Sequence, residues 1–404
     1  MKPSTAETVK IKTDTAPLIS DTSERFHSGQ VLTISVGHFV NDIYTGIVPV
    51  LLPLLIDKFN LTLTMAGALT AVQQIPGVLN PFIGYLADII SLRYFVILAP
   101  AVTATLICSL GYAPSYLALL VIFFLTGVSV AMFHAPAPAM IGRISGKMVG
   151  RGMSYFMASG ELARTIAPLL AVWAVSLWAL DGIYRLIFLG WGTSFILYLR
   201  LRSVPARTSR NPDLRQAIPA IRRLFIPIIV YALFRNFIAE CLVTYLPVYM
   251  DMQGASLLVA GAALSILELA GVAGALFSGT YSDRVGRKPL LVFATLSSSL
   301  IMLLFINLQG WILVPILIIL GFTALSTTPV LLAMVQEQLP ENRALGNGIF
   351  MFISFALRPI ATLAVGWMGD KMGLSSAFLA SAIFSLLAIP AIFFMPTDPI
   401  SNAE

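Results

Sequence analysis

The sequence predicts an all-α membrane protein of twelve transmembrane helices in two six-helix bundles, with both termini cytoplasmic. Three observations predict it: an excess of apolar residues, a one-sided distribution of cations, and a repeat that relates the two halves of the chain. The 404 residues are 58% hydrophobic and 11% charged, with a mean hydropathy of +0.88. A water-soluble domain carries about 25% charged residues. The apolar excess therefore calls for a bilayer, whose core of about 30 Å is crossed by about 20 residues of helix. A chain of this length leaves roughly 33 residues for each of twelve helices with its connection, and so no room for a large soluble domain.

In chain order, residues 1–30 are polar. Lys2, Lys10, Lys12 and Arg25 are balanced by Glu7, Asp14, Asp21 and Glu24. This stretch has neither the apolar region nor the small-residue site of a secretory signal, and is expected to be a cytoplasmic tail. The predicted spans are 31–55, 64–88, 94–111, 115–141, 150–178 and 183–201 in the first bundle (31–201). Those of the second bundle (221–395) are 221–250, 258–282, 289–308, 311–338, 344–369 and 374–395. Each must be helical, because a lipid-exposed backbone has to satisfy its own hydrogen bonds. Residues 202–220, rich in proline, serine and arginine, read as a cytoplasmic linker. Residues 396–404 form a short cytoplasmic tail. Cys108 and Cys241 fall inside apolar runs and read as small buried hydrophobes.

With the N-terminus inside, the inward connections carry 15 cations and the outward ones three, Lys58, Arg185 and Lys371. This bias sets the orientation. It also accounts for the net charge of +6 without a nucleic-acid partner.

The halves align at one offset of 194 residues: Pro53 with Pro247, Asp57 with Asp251, Gly67 with Gly261, Gly77 with Gly271 and Arg164 with Arg358. Two parallel six-helix repeats are a transporter architecture, with the solute site near the midplane at the repeat interface. A second shared feature lies between spans 2 and 3 and between spans 8 and 9. The first copy, GYLADIISLRY, supplies Gly84, Asp88 and Arg93. The second, GTYSDRVGRKP, supplies Gly279, Asp283, Arg284, Gly286, Arg287 and Lys288. A carboxylate at a helix end, followed by cations, can latch neighbouring helices on the cytoplasmic face in one access state and release them in the other.

The second string is similar to the G-x-x-x-D-[RK]-x-G-[RK] signature of the major facilitator superfamily. The resemblance covers about 31–395 and implies the two-bundle fold and rocker-switch transport. The first copy departs from the signature at Ile89 and Leu92. Ser35, His38, Asn41 and Asp42 resemble an S-x-x-H-x-x-N-D pattern of the fosmidomycin-resistance branch, and 126–143 resembles its helix 4 segment, with the proline displaced to Pro136. On helix 5 the branch has Gly-Pro, where this chain has Ala167-Pro168.

Ionisable groups at membrane depth are costly and point to function. His38 and Asp42 stand one turn apart on span 1, so one face presents an imidazole beside a carboxylate. The imidazole titrates near neutral pH, and the pair reads either as a proton carrier or as a polar pin to a neighbouring helix. Glu161, Glu240 and Glu268 are further candidate proton carriers. Arg164 and Arg358, one from each half, suit an anionic or zwitterionic solute. The alternative is that they neutralise the buried acids, Glu161 being three residues before Arg164. Asn41, Arg235, Asn236 and Gln73 complete the expected solute site. His134, before Pro136 and Pro138, either lines the cavity or caps carbonyls freed by the kink.

The expected function is secondary active transport by alternating access, as proton-coupled efflux of a small anionic or zwitterionic solute. The alternative is proton-coupled uptake of an organic anion. The expected partners are the solute, protons and the lipid bilayer, in a monomer of the bacterial inner membrane. No cofactor is expected. A channel would need a filter or charged ring, and an intramembrane enzyme a nucleophile–base pair or metal spacing. The three histidines, His27, His38 and His134, show no such spacing, so no metal site is expected.

Overall fold

Lipid leaves the backbone no partner but itself, and the described residues answer almost wholly with helix. The computed structural model describes residues 26–89, 92–202, 214–339 and 343–396, and no strand occurs among them. Most of the N-terminal tail, the linker at 203–213 and the C-terminal tail from 397 lie outside the described residues.

The first half comprises α1 (Ser28–Gly46), α2 (Val48–Phe59), α3 (Leu63–Gln74), α4 (Asn80–Ile89), α5 (Arg93–Cys108), α6 (Tyr116–His134), α7 (Pro136–Ile144), α8 (Val149–Trp178) and α9 (Ile187–Leu201). The second comprises α10 (Leu214–Val243), α11 (Leu246–Met252), α12 (Leu257–Val285), α13 (Arg287–Phe305), α14 (Leu313–Ala324), α15 (Thr327–Gln338), α16 (Arg343–Met372), α17 (Leu374–Leu386) and α18 (Ile389–Phe394). Pairs such as α1–α2, α6–α7, α10–α11 and α14–α15 are single spans broken near Pro49, Pro136, Pro247 and Pro329. Proline has no N–H to donate and its ring clashes one turn back.

Eleven helical stretches of the described residues are long and apolar enough to cross a membrane. The remaining expected span, 64–88, is helical as well but is interrupted by a 3-10 turn at Ile75–Leu79, around Pro76. One expectation is corrected: α10 begins at Leu214, inside the stretch read as linker.

The core shows how the halves meet. One buried cluster takes residues from both, including Leu51, Leu52 and Leu55 with Leu246, Val248 and Leu264. It lies at the end marked by Asp57 and Asp251. Toward the basic connections the core divides. Val96, Phe133, Met140 and Leu201 form a cluster of the first half alone, and Phe225, Leu290, Val335 and Phe350 one of the second half alone. The halves therefore share a core at one end and separate into two cores toward the other. This leaves a cleft bounded on one side by the turn at Ile75–Leu79 and α4, which still pack on α16.

Glycines permit the closure. A Cβ on Gly67 would lie 2.1 Å from the Tyr245 hydroxyl and 3.1 Å from the Thr362 carbonyl oxygen. One on Gly261 would lie 2.5 Å from Val172 and 3.3 Å from the Pro168 carbonyl oxygen. The pairs Gly67–Thr362 and Gly261–Pro168 exchange under the 194-residue offset, so the repeat seen in sequence is a pseudo-twofold contact in space. Small residues serve this role in membranes because close backbone approach replaces the missing hydrophobic drive.

Two opposed electrostatic features sit at the closed end. Asp370 of α16 accepts from the backbone N–H of Leu63 at 2.7 Å and of Thr64 at 2.9 Å, capping α3 across the interface. Against this, burial and the neighbouring charge of Asp57 raise the pKa of Asp251 above its ordinary carboxylate value. A carboxyl that holds its proton more tightly in the closed form favours closure at low pH, and that support is lost as pH rises through its raised value. Label accessibility at this end should therefore be greater at neutral pH than at pH about 4. Asp251→Asn should abolish the difference; an unchanged pH dependence in that variant would exclude the Asp57–Asp251 pair as its source.

Candidate functional site

The site is built from mid-helix groups around the cleft. On α1, the 100° step between successive residues sends neighbours to different places. Asn41 is fully buried within the first half, accepting from Thr103 Oγ1 at 3.0 Å. Its Nδ2 reaches Asp42 Oδ1 at 3.3 Å. Expected among the solute ligands, it lies here inside the first half, beside Asp42.

Asp42 has a side-chain exposure of 14% and meets two imidazoles. His38 Nε2 lies 3.2 Å from Oδ2, and His134 Nε2 lies 3.3 Å from Oδ1. The two Nε2 atoms are 3.2 Å apart. His38 Nδ1 donates to the Phe156 carbonyl at 2.8 Å, and its ring stacks on Phe156 with centroids 4.0 Å apart. His134 ends α6 where Pro136 stops the helix, and its Nδ1 donates to the Val130 carbonyl at 3.0 Å. The Val130 carbonyl lies one turn back inside α6 and is not the one that Pro136 frees.

Arg164, near the middle of α8, has a side-chain exposure of 47%. It pairs with Glu161 on its own helix, and its Nε stands 3.7 Å from Glu268 Oε2 on α12. The second contact crosses between the bundles. Arg358, the repeat mate, is 37% exposed and bonds Glu240 Oε1 through Nε at 2.7 Å. An arginine exposed at mid-helix faces the cleft, since the alternative is lipid. Glu240 is fully buried and also accepts from Thr244 and Thr362, each at 2.8 Å. Its carboxyl group, expected as a proton carrier, thus has three donors in place, from Arg358, Thr244 and Thr362.

Arg235 lies at 3% exposure inside the second half, donating to the carbonyls of Thr323 at 3.3 Å and Ala324 at 2.9 Å. It caps the C-terminal end of α14, where the helix dipole favours a cation. Expected in the solute site, it lies here inside the second half. Next to it, Asn236 Nδ2 is buried with no partner among the described residues. Gln73 is half-buried near the end of α3, its carbonyl packed against Gly127. None of the described contacts joins its side chain to either cleft arginine.

At the cleft end, Arg287 gathers Asp283 at 2.5 Å, Glu337 of α15 at 2.5 Å and the Ser282 hydroxyl. Lys288 donates to the Phe393 carbonyl at 3.1 Å. Gly286, at φ +94°, makes the turn between α12 and α13 that only glycine adopts without strain. Gly279 contributes its carbonyl to Arg287 at 3.4 Å, and Arg284 is exposed. This cluster ties α12, α13 and α15 within one bundle. Glu337 was missed, since nothing in the sequence sets it apart from any acid at a helix end. In the first copy, Arg93 stacks on Tyr94 at 5.2 Å, while the side chain of Asp88 and the surroundings of Gly84 lie outside the described residues.

Two helical halves, joined at one end and split at the other, with ionised groups at mid-depth in the split, define a multi-pass membrane transporter of the alternating-access type. The chain belongs to the Major Facilitator Superfamily, whose family model matches residues 34–362 and 254–404. It is 24% identical over 385 residues to the fosmidomycin resistance protein of Escherichia coli, covering 93% of this chain and 94% of that protein. It is 23% identical over 381 residues to the uncharacterised MFS-type transporter YfnC of Bacillus subtilis, covering 91% and 93%. Among solved structures it resembles a bacterial homologue of the human lysosomal transporter Spinster in an inward-facing, unoccupied conformation. There the TM-score is 0.77 at 15% identity, over 94% of this chain and 100% of that one. It also resembles a D-xylose–proton symporter, with a TM-score of 0.72 at 17% identity over 93% and 98%. These relatives are transporters, not enzymes.

Proposed function

We propose that the protein is a proton-coupled exporter of a small zwitterionic solute in the bacterial inner membrane, working as a monomer. The closed end faces outward, so the conformation described is inward-facing. The observation that carries the reading is the pair of repeat-related arginines, Arg164 and Arg358, one per bundle and both exposed in the cleft. A guanidinium fork from each side suits a carboxylate or other oxyanion. The relative that confers fosmidomycin resistance supports the outward direction.

Coupling is placed on Glu268 and Glu161, which flank Arg164. Glu268 lies on the opposite bundle from Arg164, so its ion pair is remade as the bundles rock. The sense of coupling follows from which end of the solute takes the pair. A cationic group of a zwitterion competes with the proton for Glu268, so proton entry discharges the solute, and the result is antiport. An anion that takes Arg164 instead requires Glu268 to be neutral, and enters with a proton. The Arg164–Glu268 contact therefore also favours a second reading, uptake of an organic anion by symport.

Everted vesicles loaded with a pH indicator separate the two, using fosmidomycin as the first probe and a panel of small amino acids and carboxylates as the others. Antiport discharges an imposed acid-inside gradient on solute addition. Symport with an anion acidifies the lumen of unenergised vesicles. Glu268→Gln should abolish either proton signal while leaving solute exchange at equal concentrations. Retention of the proton signal in that variant would remove Glu268 from the coupling role.

A further inference from the structure

We propose that His38, Asp42 and His134 form a binding site for one divalent transition-metal ion of the zinc, cobalt or nickel type, with its remaining coordination position open to the cleft. The site is independent of the solute reading above. The donor atoms come from α1 and from the end of α6, 92 or more residues apart in sequence, so no spacing motif announced them. This revises the expectation that the chain holds no metal-ligand set.

The first ground is the proton inventory. A backbone carbonyl can only accept, so Nδ1 of His38, facing the Phe156 carbonyl at 2.8 Å, carries a hydrogen. The same holds for Nδ1 of His134, facing the Val130 carbonyl at 3.0 Å. In the neutral rings both Nε2 atoms then present lone pairs. They face one another at 3.2 Å and the Asp42 carboxylate at 3.2 and 3.3 Å. Three electron-pair donors converging in a partly dry site require a cation among them.

The second ground is distance. A proton shared between an imidazolium and a carboxylate draws them to about 2.7–2.9 Å, and it lies along one edge of the triangle, leaving another edge unsatisfied. An ion bound at about 2.0–2.1 Å in tetrahedral geometry keeps its ligands roughly 3.3–3.4 Å apart. The two Nε2 atoms, 3.2 Å apart, match the second figure. The carboxylate turns a different oxygen to each ring, Oδ2 at 3.2 Å from His38 and Oδ1 at 3.3 Å from His134, so either oxygen can serve as the third ligand. Two imidazoles and one carboxylate suit zinc-like ions over magnesium or calcium, which prefer all-oxygen shells.

The third ground is rigidity. Metal-binding histidines characteristically donate their other nitrogen to a carbonyl or carboxylate, which fixes tautomer and ring plane. Both rings do so here. His38 is further held between Phe156 and Phe133, with ring centroids at 4.0 and 5.8 Å. Behind it, a Cβ on Gly160 would come within 2.5 Å of Cε1. Asn41 steadies the carboxylate at 3.3 Å. His38 is buried, while the side chains of Asp42 and His134 are 14% and 21% exposed, so the triangle opens on one side only. A water or an oxygen of the solute would take that fourth position, and the ion would add positive charge to the cleft.

The test uses the full chain, purified without a histidine tag and held in lipid nanodiscs. Co2+ is titrated while its visible absorption is followed, and Zn2+ is then added as competitor. We expect one equivalent of Co2+ with the intense bands of a four-coordinate ion, displaced by Zn2+. His134→Gln should weaken binding at least 100-fold, and Asp42→Asn, which keeps the side-chain size, at least 10-fold. His27→Gln should change nothing. Zn2+ should raise the Tm of the wild type and not that of the His134 or Asp42 variants. No stoichiometric binding, or binding that survives both His134→Gln and Asp42→Asn, would overturn the proposal. Loss of solute transport with metal binding intact would count against the solute reading alone.

Discussion

Arg358→Leu is expected to be the most destabilising single substitution in the cleft. Glu240 is fully buried, and Arg358 supplies its ionic partner at 2.7 Å. Thr244 and Thr362 give it two further hydrogen bonds but no charge. Removing one member of a buried ion pair strands the other and costs about 3–5 kcal/mol. The variant should show a marked fall in Tm in detergent. Arg358→Lys keeps the charge but not the fork, and should fall between the variant and the wild type. The double variant Glu240→Gln with Arg358→Gln removes both charges and should recover most of the loss, because two neutral amides can bond each other and the threonines. If Arg358→Leu alone is as stable as the wild type, the pair is not what holds α10 to α16. The double variant has a second use. A folded protein that no longer binds solute assigns Arg358 to recognition as well as to structure.

Asp370→Ala is expected to open the closed end. The carboxylate of one bundle caps the helix of the other, bonding the N–H of Leu63 at 2.7 Å and of Thr64 at 2.9 Å, and the Thr64 hydroxyl at 2.5 Å. The first N–H groups of a helix have no partner within it, and a carboxylate there also meets the positive end of the helix dipole. Loss of such a cap costs about 0.5–2 kcal/mol. Because the bond exists only when the bundles meet at this end, the cost falls on one access state and not on folding. A loss of 1–2 kcal/mol shifts the equilibrium about 5–30-fold. Ala66 is fully buried beside this contact. A cysteine placed there, with Cys108 and Cys241 replaced by alanine, should react with a membrane-impermeant thiol reagent faster by that factor. An unchanged rate would mean that glycine packing alone holds the end shut.

These two sites differ in how far they were legible. The arginines stood out because a cation at membrane depth is rare, and because the offset pairs Arg164 with Arg358. Glu240 was visible as a buried acid, but its pairing with Arg358, 118 residues away, was not. Asp370 looked like an ordinary acid at a helix end. Its partner is a pair of backbone N–H groups 306 and 307 residues distant, which no side-chain pattern records.

What the sequence by itself determined was everything that composition and period control. Apolar runs of about 20 residues marked the spans, because a helix of that length crosses a bilayer with its backbone bonded internally. The offset that pairs Gly67 with Gly261 marked two related bundles, and the structure turned that pair into a pseudo-symmetric contact. Only the tertiary structure decided which polar groups share a site. Asn41 and Asp42 are neighbours in sequence, yet a single 100° step turns one into the bundle and the other toward the cleft. Asp42 and His134 are far apart in sequence, yet the fold brings their donor atoms to 3.3 Å. Period and composition act along the chain, whereas ligand sets and ion pairs depend on the angle and depth at which helices cross, and those follow from packing the whole fold.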